Sequence, residues 1–243
     1  MNPPIIILVQ TQLAVNIGMC ARAMLNCGLT QLRLVTPRDG WPNADAISPA
    51  SEARDIIANA EVFQSVAEAT ADCHQVFAAS ARVRHLNTPS ITPTEAALTI
   101  QEHSQKTSTY QPAILFGPEA SGLDNESISF ADRLVNYPMN PDYTSLNLAQ
   151  AVLLFSWEWW KLQITSPTEA EELVVEPQWT PVPKEELQQF MLRLEQELDK
   201  TSFFANPEQK ASILQKLRIL FTRTNPTTQE LRSLHGIISA LSK

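Results

Sequence analysis

Three stretches of this 243-residue chain gather polar side chains beside glycine or proline: "NIGMCARAM" at 16–24, "FGPEASGLDN" at 116–125 and "PMNPDYTSLNLAQAV" at 138–152. They bring an arginine (Arg22), a carboxylate (Glu119), amides (Asn16, Asn125, Asn147) and hydroxyls (Thr144, Ser145) into play. Several familiar chemistries are absent. No G-x-G-x-x-G follows a strand, and "GPEASG" lacks the G-K-S/T ending of a phosphate loop, so an ordinary dinucleotide domain or NTPase is disfavoured. No H-E-x-x-H or G-x-S-x-G occurs, and the four histidines have no ligand spacing, which leaves hydrolase and metalloenzyme readings without support. No metal is expected. Cys20, Cys27 and Cys73 are odd in number with no C-x-x-C, and are expected to be reduced, buried small hydrophobes.

The elements that must position these residues alternate between short aliphatic runs and helical patterns, the signature of an α/β domain with a largely parallel sheet. Strands are expected at 5–9, 32–35, 75–80, 113–117 and 134–137. A helix over 17–28 closes at Gly28, and Ser48 with Pro49 opens one running to about residue 60. Ser65 and Glu68 form a capping box for a short helix, another lies near 94–104, and Asp124 caps a third. The last helix of the domain starts within the 138–152 stretch. Leu146, Ala149, Leu153, Trp157, Trp160 and Ile164 give it an apolar stripe suited to core or subunit packing, or less readily to stacking on bases. In an open α/β sheet ligands bind outside the carboxyl ends of the strands, so the three polar stretches should border one crevice.

Residues 165–183 are rich in Pro and Glu and read as an extended linker. Beyond it come three helices, 184–200, 207–223 and 226–242, with Asn206 and Pro207 opening the second and Asn225 and Pro226 the third. The division is a main domain at 1–164, the linker, and a helical extension at 184–243. The net charge of -8 argues against a protein that grips nucleic acid with its whole surface. Residues 203–243, however, carry six Lys/Arg against two acids, a net of +4 that leaves -12 for the rest. That tail suits phosphates or is simply a solvated helix face. With no long apolar segment and no signal sequence, the protein is expected to be soluble and cytoplasmic, without membrane contact.

In this order the three stretches resemble the signature motifs of the SpoU, or TrmH-like, branch of the SPOUT methyltransferases: N-(I/M)-G-x-x-x-R-A, F-G-x-E-x-x-G-L-x-N and P-x-x-x-x-(S/T)-S-L-N-L-A-x-A. "SARVR" at 80–84 and the tail at 215–237 are similar to the TrmJ subfamily, so the resemblance covers essentially the whole chain. It implies a SPOUT-type parallel sheet flanked by helices, with a C-terminal trefoil knot and a small α-helical extension. It implies methylation of the ribose 2′-hydroxyl of nucleotide 32 in the tRNA anticodon loop, on cytidine or uridine, using S-adenosyl-L-methionine. The cofactor pocket would comprise Ala79, Ser80, Ala81, Gly117, Tyr137, Pro138, Thr144, Ser145, Leu146 and Asn147. Rigid, proline-set backbone is what a backbone-built pocket requires.

Arg22 matches the family's proposed catalytic arginine. A guanidinium has no acceptor, so electrostatic clamping of phosphate and incipient alkoxide is favoured over a base role on physical grounds. Asn16, Glu119, Ser145 and Asn147 would complete the catalytic group. Asn16 could instead cap its helix, Glu119 and Asn125 could organise their loop, and Ser145 and Asn147 could serve only the helix start. Arg82 and Arg84, with Arg218 and Arg223 in the tail, would hold RNA phosphates. The resemblance also implies a homodimer whose active site draws on both subunits, with the Leu146–Ile164 stripe and the helix after Asn16 as interface. Pro118 stands where relatives often carry arginine, which bears on substrate preference. Ribosomal RNA as substrate, or a non-catalytic RNA-binding role, are the alternatives.

Overall fold

A computed structural model describes residues 2–80, 88–140, 142–164 and 182–242. Its centre is a seven-stranded sheet, β1 (Ile5–Val9), β2 (Leu32–Val35), β3 (Glu61–Phe63), β4 (Gln75–Ala79), β5 (Ser90–Ile91), β6 (Pro112–Phe116) and β7 (Arg133–Val135). Every pairing is parallel, in the order β3-β2-β1-β6-β4-β7-β5. The near-continuous apolar runs of β1, β4 and β6 follow from burial on both faces. Alternate residues divide between two cores: Ile6, Leu8, Phe77 and Ile114 point to one, and Ile5, Ile7, Val76 and Ala113 to the other.

The first face is covered by α1 (Ala14–Asn26), α5 (Pro93–Lys106) and α7 (Leu148–Ile164), with α2 (Ile47–Ala50) and α3 (Arg54–Ala58) packed on α1. The second carries α4 (Val66–Ala69) and α6 (Asn125–Ile128). A capping box at Thr92 and Glu95 opens α5, and Asp124 caps α6 by accepting from the Ser127 N–H.

Local signals are overruled in several places. The continuous helix expected from Ser48 is broken into a 3-10 turn at Ala44–Ala46, α2 and α3. Ser51, at φ 53°, interrupts it. The backbone of this stretch closes directly on α1, where a Cβ on Gly18 would stand 2.1 Å from the Ala46 carbonyl oxygen. That packing outweighs the local preference for one straight helix. Ser65 does cap α4, but Glu68 reaches back to the N–H of Gln64 rather than to that of Ser65. The short strands β3 and β5 carry no sequence signal long enough to find. The expected apolar stripe of α7 is largely its outer face: Leu148, Val152, Phe155 and Trp159 are buried, while Trp157 is 48% and Ile164 59% exposed.

The extension forms α8 (Lys184–Asp199), α9 (Pro207–Thr224) and α10 (Thr228–Leu241). Asn206 caps α9 as expected. Asn225 does not open α10. It ends α9 in the left-handed conformation, and Thr227 with Glu230 forms the capping box of α10. The extension is seated on the main domain. The Lys184 and Glu185 N–H groups donate to Cys73 and Ala71 carbonyls, both at 2.8 Å. Beneath them the Lys184 ammonium meets Asp132 at 2.6 Å, with side chains 6% and 3% exposed. All three cysteines are buried and free.

Candidate active site

The carboxyl ends of β4, β6 and β7 meet around a pocket of about 250 Å³. Ala79 and Ser80 enter it from β4, residues 116–123 from the end of β6, and Tyr137, Thr144, Ser145 and Leu146 from the connection between β7 and α7. All three polar stretches of the sequence thus converge, the first one indirectly.

Gly117 is the hinge of the middle segment. A Cβ there would stand 2.2 Å from the Leu123 nitrogen and 2.5 Å from the Gly122 carbonyl carbon, so no larger residue fits without moving backbone. The loop returns on itself because the Gly122 N–H donates to the Pro118 carbonyl at 2.8 Å, with Gly122 at φ 67°. Glu119 locks this loop to the start of α1. One carboxylate oxygen accepts from Asn16 Nδ2 at 2.5 Å and the other from the Gln12 N–H at 3.0 Å. Asn16 is therefore no cap: it is buried inside α1, and its amide serves Glu119. Glu119, with burial the larger cause, also pushes the Cys20 thiol far above its ordinary value, leaving it neutral and inert.

The third segment is stiffened at both ends. The buried Tyr137 hydroxyl donates to the Ala151 carbonyl at 2.8 Å, and burial raises its pKa, keeping the phenol neutral. Residues 136–140 and 142–147 are not helical, and α7 starts at Leu148, within the 138–152 stretch as expected. Asn147 supplies the cap, its Oδ1 accepting from the Ala149 N–H at 2.9 Å while Gln150 Oε1 accepts from the Asn147 N–H at 3.2 Å.

Of the expected cofactor-binding residues, Ala79, Ser80, Gly117, Tyr137, Thr144, Ser145 and Leu146 line the pocket. Pro138 is the exposed neighbour of Tyr137, and Asn147 lies behind the wall as helix cap. Ala81, Arg82 and Arg84 lie outside the described residues. Arg22 is not brought to this pocket within the chain. It is exposed on the face of α1 that also presents Val15 and Met19, and among the described residues it makes no hydrogen bond or ion pair. Arg218 is engaged in docking, its guanidinium 4.7 Å from the Phe130 ring centroid and 3.3 Å from Ser129 Oγ, whereas Arg223 is exposed in α9. Sequence reasoning missed Phe116, Ser121, Leu123 and Ala151 in the lining and Gln12 as the second partner of Glu119. The paired glycines at 117 and 122 were the available signal for a loop folded back on itself.

Among the described residues the lining holds one charged side chain, Glu119, and no cation. Apolar walls (Phe116, Leu123, Leu146, Leu148) face hydroxyls (Ser121, Thr144, Ser145), a combination that suits a nucleoside-like molecule bearing positive charge. Among the described residues no group of side chains could hold a metal ion, and no helix is long and apolar enough to cross a membrane.

Comparison with known proteins agrees with this geometry. Residues 3–157 match the model of the SpoU rRNA Methylase family, and residues 185–243 that of the tRNA methyltransferase TrmJ, C-terminal domain. The tRNA (cytidine/uridine-2′-O-)-methyltransferase TrmJ of Yersinia enterocolitica is 38% identical over 242 residues, covering 98% of this chain and 91% of the relative. Its counterpart in Escherichia coli K12 is 37% identical, covering 98% and 94%. Among solved structures, TrmJ from Z. mobilis ZM4 superimposes with a TM-score of 0.87 at 43% identity, covering 99% of this chain and all of that one.

Proposed function

This chain belongs to the SpoU rRNA Methylase family and ends in a TrmJ C-terminal domain, and from that premise we propose that it methylates the ribose 2′-hydroxyl of cytidine or uridine in tRNA, at nucleotide 32 of the anticodon loop. The observation that carries the reading is the pocket at the sheet's carboxyl edge, lined by two of the three motif segments and tied to the third through the hydrogen bond from Asn16 to Glu119. The names of the relatives support the tRNA substrate and the 2′-oxygen as acceptor.

The residues present fit S-adenosylmethionine. Gly117 lets the 118–123 loop close into a wall that any side chain there would displace, and among the described residues the lining carries no positive charge to oppose a sulfonium. Ala79, Ser80, Gly117, Tyr137, Thr144, Ser145 and Leu146 would hold it, with Ala81, Pro138 and Asn147 beside them. When bound, S-adenosylmethionine supplies an electrophilic methyl group. The chain's own contribution is positioning and exclusion of water. Two hydrogen bonds fix Glu119, and Asn147 and Tyr137 fix the start of α7, so the pocket walls need no rearrangement during transfer. Arg22, with donors and no acceptor, grips a phosphate and the oxygen developing negative charge.

The reading includes a homodimer. Val15, Met19 and Leu25 of α1 and Leu153, Trp157 and Ile164 of α7 are exposed apolar residues on two helices packed together. Arg22 lies within that face, so pairing would carry it to the partner's pocket. A trefoil knot belongs to the same reading, supported by the insertion of β7 between β4 and β5. So does the division into a catalytic domain at 1–164, a linker at 165–183 and an extension at 184–243. The basic extension, with Arg218 and Arg223, and the Arg82 and Arg84 pair would hold the tRNA body.

Mass spectrometry of tRNA and rRNA after incubation with the protein and labelled S-adenosylmethionine tests this. The expected product is a single 2′-O-methyl pyrimidine at tRNA position 32. Arg22→Ala should abolish turnover while calorimetry still records binding of the donor. Label in rRNA alone, or normal turnover by Arg22→Ala, would overturn the reading.

A further inference from the structure

The carboxyl edge of the sheet carries another cavity, of about 220 Å³, beyond the ends of β1 and β2. These strands end on Gln10 and Thr36, at φ 49° and 41°. They are neighbours across the sheet, following the paired Val9 and Val35. Both still extend the ladder, the Gln10 N–H donating to the Val35 carbonyl at 2.8 Å and the Thr36 N–H to the Phe63 carbonyl at 3.1 Å. The left-handed region suits glycine, and a β-branched residue there is an outlier. Two adjacent outliers on a sheet's ligand-binding edge point to side chains retained for use.

Gln10, Thr36 and Gln64 all line the cavity, together with Asp124, Glu126 and Phe130. Among the described residues the side chains of Gln10, Thr36 and Gln64 have no hydrogen-bond partner. Among the described residues no lysine or arginine contributes and two carboxylates do, which disfavours a phosphate as occupant and suits an uncharged planar group with amino donors. The loop after β6 separates this cavity from the pocket described above: Pro118 to Leu123 line one, Asp124 and Glu126 the other. An RNA strand crossing the edge would place a reacting ribose on one side of that loop and a neighbouring base on the other.

We propose that this second cavity receives the base of a nucleotide flanking the methylated one, its edge read by the amides of Gln10 and Gln64 and the hydroxyl of Thr36, with Glu126 accepting from an exocyclic amino group. The inference rests on the methyltransferase reading and adds a specificity subsite to it. RNA bases outside duplexes are recognised in this way, splayed out and hydrogen-bonded along their edges.

The test uses the full-length protein, Thr36→Gly and Gln64→Ala, and a set of tRNA transcripts in which each nucleotide flanking the target is replaced in turn. The wild type should prefer one base at one flanking position by about tenfold in kcat/KM, the discrimination expected of a good base-edge contact. Each variant should reduce that preference to about twofold or less while methylating the other transcripts. Thr36→Gly should melt no lower than the wild type, because glycine relieves the backbone at φ 41°. A wild type that methylates every transcript equally, or variants that keep the preference, would overturn the subsite alone. A wild type inactive on all of them would overturn the methyltransferase reading and the subsite with it.

Discussion

A single hydrogen atom decides the shape of the pocket wall at Gly117. Replacing it by a methyl group sets a carbon against the backbone of residues 122 and 123 at 2.2–2.8 Å, and backbone has no rotamer by which to yield. Gly117→Ala should therefore displace the 118–123 loop, cost about 1–3 kcal/mol of stability as overpacked sites do, and abolish S-adenosylmethionine binding in calorimetry. Wild-type affinity in a folded variant would show that the loop does not form the pocket wall. Residue types announced Glu119 and Asn16 as site residues, but not their mutual bond. With both of its oxygens occupied, Glu119 anchors its loop to α1, and Asn16 is its partner rather than a helix cap.

Among the elements, α7 shows why periodicity alone misassigns a face. The helix is apolar nearly all round, so Leu146–Ile164 and Leu148–Trp159 are both legible as stripes, and only packing against α1 and α5 selects the second as the inner one. Its beginning is set by Asn147 rather than by the prolines upstream. Asn147→Ala should lower stability by about 1 kcal/mol, the usual value of an N-cap, and weaken donor binding because the 144–146 wall loses its anchor. Urea unfolding and calorimetry would check both; an unchanged midpoint would show that Gln150 alone secures the turn. The broken helix at 44–58 makes the opposite point, since local propensity there yields to the contact of α2 with Gly18.

At the scale of the molecule, the extension is bound to the catalytic domain by a buried charge pair placed just before β7, the strand that leads into the pocket. Burial pushes the Asp132 carboxyl above its ordinary value and the Lys184 ammonium opposes it. Lys184→Met should cost about 3–5 kcal/mol, because it leaves a buried carboxylate uncompensated. Adding Asp132→Asn should restore most of that loss while keeping an acceptor for the Val76 N–H. If both variants unfold at the same urea concentration as the wild type, the pair does not hold the extension in place. Neither partner could be matched from sequence, 52 positions apart with no motif joining them.

What the sequence determined by itself was the alternation of strands and helices, most of the caps, the three polar segments and the family they resemble, since all of these are written in local spacing and residue type. The tertiary structure alone decided that the second and third segments line one pocket while the first reaches it only through Asn16 and Glu119, that Arg22 faces away from it, that one side of α7 is core and the other bare, and that Gln10 and Thr36 sit side by side under strain. Each of these is a relation between residues far apart in the chain, fixed by strand register and backbone approach, for which no short pattern of side chains carries a record.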